Sequence, residues 1–169
     1  MPAKANWTRW IRASIGNYLM EVADDASLPT IIEELDDRNA TYMEATTRAE
    51  IRINGPFTQE VSKGYFRVWV DVNVLVTSRR DGQKNGYDHL RYVGLFHEAM
   101  DDMIPIYMFG NQPGDCVQAD PTDCDVIGCL SPRDGKNDSI RVLSFGQLNS
   151  TDAIIQNAVD ARYVGYFNE

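Results

Sequence analysis

The sequence predicts an α+β fold: an antiparallel sheet with two helices packed on it, plus a long irregular loop. Three observations carry that reading. Residues 6–23 place apolar side chains at helical spacing, and residues 65–77 alternate apolar and polar side chains without a break. Helical and strand patterns are also segregated along the chain instead of alternating as β-α-β units. The 169 residues suit a single domain, with 110–137 as a loop insertion.

Each element follows from its local pattern. Asn6 is the expected N-cap of the first helix. Trp7, Trp10, Ile11, Ile15, Tyr18, Leu19 and Val22 follow at i, i+3, i+4 spacing and form its core face, with Arg9, Arg12 and Asn17 mainly opposite. Residues 21–37 hold seven acids and no base; divided by Pro29, they read as a turn and a short connector with a solvated acidic face. Residues 42–54 alternate, with Ala45, Thr47, Ala49, Ile51 and Ile53 on one side, and Gly55-Pro56 is expected to end that strand. The strand over 65–77 is the clearest. Phe66, Val68, Val70, Val72, Val74 and Val76 face one way, and Tyr65, Arg67, Trp69, Asp71, Asn73 and Leu75 face the other. Its length exceeds the usual strand of about five or six residues, so one end is expected to project past the sheet or to join a neighbour's sheet.

Residues 77–86 (TSRRDGQKNG) read as a flexible basic loop carrying Arg79, Arg80 and Lys84. A second helix is expected from Asp88 to near Asp102, with Leu90, Tyr92, Val93, Phe96, Ala99, Met100 and Met103 on its apolar side. Pro105 marks 104–109 as a short edge strand. Residues 110–137 are rich in Gly, Pro and Asp and have little periodicity, although a short strand can begin at Cys129-Leu130. Residues 139–145 read as a strand. The aromatic and β-branched finish RYVGYF predicts a last strand from about 158 onward.

Sixteen Lys and Arg against 25 Asp and Glu give a formal charge of −9. That excess argues against a nucleic-acid reader, which needs clustered bases to neutralise phosphates. No apolar run approaches the roughly 18 residues of a membrane span, and the charge-interrupted start does not read as a signal peptide. The expectation is a soluble, acidic chain made in a cytoplasm.

Cys116, Cys124 and Cys129 are spaced C-x7-C and C-x4-C, which is not the zinc pattern of a close pair joined by a second pair of Cys or His. Reduced thiols are the default reading. A disulfide within the loop is the alternative, and the odd count leaves at least one thiol free or intermolecular. Asp120, Asp123, Asp125 and Gly128 fail the EF-hand pattern at its fifth position, which is Ile127. No G-x-S-x-G elbow, P-loop or G-x-G-x-x-G occurs, and Asp101 breaks an H-E-x-x-H reading at His97-Glu98. The residues assign no catalytic side chain, no cofactor and no metal. One alternative of another class is a small cytoplasmic thiol enzyme pairing the cysteine loop with His89 or His97.

A Trp-containing helix leads to EIRINGP (residues 50–56), then the valine strand FRVWVDVNVLVTS (66–78). A polar loop, the helix opening YDHLRYVGLF (87–96), the short strand IPIYMFG (104–110) and a terminal aromatic strand follow. This order resembles the tail terminator and neck proteins of long-tailed bacteriophages, with 110–137 as an elaboration. The resemblance implies a structural virion protein located in the neck and tail. It would form a hexameric ring of its own copies that ends the tail tube and meets the head-side stopper or connector protein. It implies no enzyme activity and no catalytic residues; a stopper, collar or tail-completion protein is the neighbouring reading. DNA would pass through an acidic channel without specific binding, with acids of 21–37 or 110–137 on the channel side. No membrane partner is implied. Arg79, Arg80 and Lys84 are the candidate docking loop.

Overall fold

The computed structural model describes residues 4–79, 85–110, 116–118, 120–132, 140–147 and 154–169. The fold is α+β. A five-stranded sheet has the order β1 (Thr30–Ile32), β2 (Thr47–Ser62), β3 (Tyr65–Arg79), β7 (Ile154–Asn168) and β6 (Arg141–Gln147). Its neighbours are antiparallel except β1 and β2, which run parallel with Thr30 opposite Ala49, so the sheet is mixed where a purely antiparallel one was expected. Helices α1 (Trp7–Asp25) and α3 (Asn85–Ala99) cover one face of the sheet, and the short α2 (Ala40–Glu44) precedes β2. A second, two-stranded sheet joins β4 (Ile104–Tyr107) to β5 (Val126–Leu130).

The core lies between the helices and the valine face of β3. Val68, Val70, Val74 and Val76 are fully buried there with Ile11, Ile15, Leu19, Ile51, Phe96 and Met100. Burying a side chain of this size contributes roughly 1.5–3 kcal/mol, and that contribution fixes which face of β3 turns inward. After α1, the chain turns back through Ser27 at φ 53°. The Ser27 N–H donates to the Asp24 carbonyl, the Leu28 N–H donates to Ala23, and Leu28 is buried against the helix.

Several expectations are corrected. Tyr42 to Glu44 are helical and not extended, because the Asn39 side chain accepts the Tyr42 N–H at 2.9 Å and caps α2. Gly55-Pro56 does not end β2. The register shifts between Asn54 and Phe57 and pairing resumes to Ser62, so the pair forms a bulge. β3 does not project: it pairs with β7 from Tyr65–Asn168 to Arg79–Ile154 and with β2 along its other edge. The sheet as a whole is long, and β7 begins at Ile154, not near 158, because it matches β3 residue for residue. Residues 110–137 are not irregular throughout, since they contain a 3-10 turn at Pro121–Asp123 and β5. α3 starts at Asn85 and ends at Ala99; of its expected apolar side, Leu90 is exposed, and Met103 is exposed beyond the helix end. The buried stripe is His89, Val93, Phe96 and Met100, so His89 takes an inward position expected of an apolar residue.

The small sheet seals one end of the core. The Trp10 indole N–H donates to the Phe109 carbonyl at 2.7 Å, and Ser14 Oγ accepts the Tyr107 N–H at 2.9 Å. Beyond β5, Ser131 exchanges two 2.8 Å backbone bonds with Val164 and extends the β7 edge that β6 occupies.

Candidate functional site

Among the described residues the face of the sheet away from the helices is open, and strand register sets what it displays. Arg52, Asn73, Asp160 and Arg141 lie in one row across β2, β3, β7 and β6. The next row holds Asn54, Asp71 and Arg162; Phe57, Trp69 and Val164 follow, then Gln59, Arg67 and Tyr166. Four arginines from four strands thus line a hollow of about 680 Å³, bordered by Pro132. The Arg162 guanidinium holds Asp71 with two bonds, at 2.7 and 3.0 Å, and the Asn73 amide donates to Asp160. At one end the surface turns aromatic: Phe57 stacks on Trp69 and Tyr65 on Tyr166, with Phe57, Tyr65 and Tyr166 all exposed. At the other end Glu50, 5 % exposed, is held between Arg38 at 2.8 Å and Arg52 at 2.7 Å. Burial first, and the nearby Glu50 carboxylate second, push the Tyr42 hydroxyl above its usual pKa there.

The predicted residues distribute differently. Arg79 is the last residue of β3; its guanidinium donates to the Met43 carbonyl at 3.2 Å and its backbone N–H to Thr46. Arg80 and Lys84 lie outside the described residues. Cys116 and Cys124 form a disulfide with Cα atoms 5.2 Å apart, so these two are not the reduced thiols taken as the default, and Cys129 is free and exposed. Within the 21–37 acids, Glu33 meets Arg52 at 3.4 Å, Glu34 meets Arg12 at 3.0 Å, and Asp36 accepts the Ile32 N–H at 2.7 Å. Glu21, Asp24, Asp25 and Asp37 face solvent.

A buried polar chain went unread in the sequence. Thr47 Oγ1 lies 2.9 Å from Ser78 Oγ, which lies 2.7 Å from His89 Nδ1, and His89 Nε2 lies 2.8 Å from Asn157 Oδ1. The amide oxygen can only accept, so Nε2 carries the proton and Nδ1 accepts from Ser78. Burial lowers the imidazole pKa, opposed by the Asn157 bond. A serine hydroxyl on an imidazole has nucleophile–base geometry. Ser78 and His89 have no exposed surface, however, so the chain ties β2, β3, α3 and β7 together and offers a substrate no approach. Both ring nitrogens being engaged, His89 is not placed to serve the cysteine loop. The one sequence signal was a histidine in register with Val93 and Phe96.

Among the described residues no group of three or more His, Cys, Asp or Glu could hold a metal ion, and no helix is long and apolar enough to cross a membrane. No protein-family model matches the chain, and no curated protein matches it significantly.

Proposed function

We propose that this protein is a tail terminator of a long-tailed bacteriophage, a structural subunit whose ring, of six copies by the resemblance, ends the tail tube and joins it to the head-side connector. It works by assembly and not by chemistry. The observation that carries the reading is the half-covered sheet. Among the described residues a long β2–β3–β7 array is packed by helices on one face only, and its open face and β6 edge expose Phe57, Tyr65, Tyr166, Val142, Leu143 and Phe145. Exposed aromatic and aliphatic side chains gathered there suit a subunit whose remaining contacts come from other chains. The element order supports the same reading: a tryptophan-bearing helix, a long hairpin, a second helix and a terminal aromatic strand.

Deleting the gene from the phage tests the role. The expected result is full heads without joined tails, beside tails of unregulated length. Normal tailed particles from the deletion would overturn it.

A further inference from the structure

The two faces of the subunit carry opposite charge. On the open face, Arg52, Arg67, Arg141 and Arg162 share the hollow with two carboxylates, Asp71 and Asp160, so its lining is net positive. Both carboxylates already have partners inside it, Arg162 and Asn73. The helix layer on the opposite side is acidic. Glu21, Asp24 and Asp25 are exposed on the last turns of α1, and Asp101 and Asp102 are exposed just after α3. The two groups adjoin: the Tyr18 hydroxyl, between the helices, donates to the Ala99 carbonyl at 2.9 Å and lies 3.1 Å from Asp102 Oδ2. Burial, then Asp102, then Glu21 push that hydroxyl's pKa up to about 12, as expected where negative charge gathers. No Lys or Arg occurs from residue 13 to 37, nor between Arg91 and Arg133, so these segments carry none of their own to offset the acids.

We infer that the arginine-lined hollow of one copy receives the acidic helix ends of the next, Glu21, Asp24, Asp25, Asp101 and Asp102, in a head-to-tail contact. The inference rests on the ring reading above and supplies the contact such a ring requires. Two different faces meeting make a heterologous interface, which closes into a ring when its rotation permits. Charge complementarity fixes the order and orientation of the copies. A nucleic acid is the poorer occupant. Its long run of phosphates calls for a matching run of bases, and the hollow's four arginines and two carboxylates leave a net positive charge of only two.

A charge swap on the full chain tests this. Arg141→Glu changes an exposed residue at the hollow, and the Asp24→Lys/Asp25→Lys pair changes exposed residues at the helix end. Solution mass by light scattering is read at low salt and at about 0.5 M, where screening shortens to a few ångströms. Wild type is expected to associate at low salt and to dissociate at high salt. Each variant alone should associate about tenfold more weakly or worse. An equal mixture of the two should regain wild-type association, because every contact then pairs opposite charges; that rescue also shows both variants are folded. A ring that ignores both salt and Arg141→Glu would overturn this interface and leave the ring reading standing. A mixture no better than its components would overturn it too, as would a wild-type chain that stays monomeric at every salt. If that monomer bound duplex DNA and Arg141→Glu abolished binding, the hollow would belong to nucleic acid.

Discussion

At the scale of single residues, His89 shows how a polar side chain comes to occupy a core position. Its ring sits where α3 needs volume, and it is tolerated because Ser78 and Asn157 satisfy both nitrogens. The consequence is a pH dependence of stability. The folded value lies below the unfolded value of about 6.5, so the unfolded chain takes up the proton first. The stabilisation is complete above about pH 6.5 and is lost as pH falls toward the folded value, with each unit of separation contributing about 1.4 kcal/mol. Urea unfolding at pH 8 and pH 5 should show this loss in wild type and not in His89→Gln. Equal losses in both would contradict the assignment. His89 was named in the sequence as a reactive candidate; only the long-range partners Ser78 and Asn157 reveal it as a tie, and local spacing carries no information about them.

At the scale of elements, β7 is the strand on which the two sheets meet. An added Cβ at Gly165 would lie 2.6 Å from the Cys129 carbonyl oxygen and 2.7 Å from Leu130 Cδ2, both in β5. A backbone oxygen cannot step aside cheaply, so Gly165→Ala should destabilise by roughly 1–3 kcal/mol in denaturant unfolding. Gly94, exposed on α3, has nothing within 4 Å, so Gly94→Ala should stabilise by about 0.5–1 kcal/mol. Equal midpoints for the two variants would contradict the packing described. The elements were legible in the sequence where periodicity was long. The alternation of β3 gave its start and its faces, although the strand runs two residues past the expected Thr77 to Arg79, into what was read as a loop; α1 was read within two residues at either end. Periodicity did not reveal the β2 bulge, the capped turn at α2 or the parallel β1, because those depend on one cap, one Gly-Pro pair and a three-residue pairing.

At the scale of the whole molecule, the charge of −9 resolves into two faces. The sequence located basic character in the loop of Arg79, Arg80 and Lys84. The described structure adds a second basic region on the open sheet face, built from arginines 15 to 110 positions apart in the chain (Arg52 to Arg67, Arg52 to Arg162). No sequence window could have joined them; only strand register does so. Arg52, Arg67 and Arg162 were nonetheless present as polar positions of alternating patterns. An acidic helix layer and a basic sheet face on opposite sides of one subunit suit repeated head-to-tail contact. The most direct test of a ring at the end of the tail tube is electron microscopy of intact particles, with the chain located by a specific antibody fragment. One six-fold ring is expected at the junction of tail tube and head-side connector, with label nowhere along the tube. Label distributed along the tube, on the capsid or absent from the particle would contradict it.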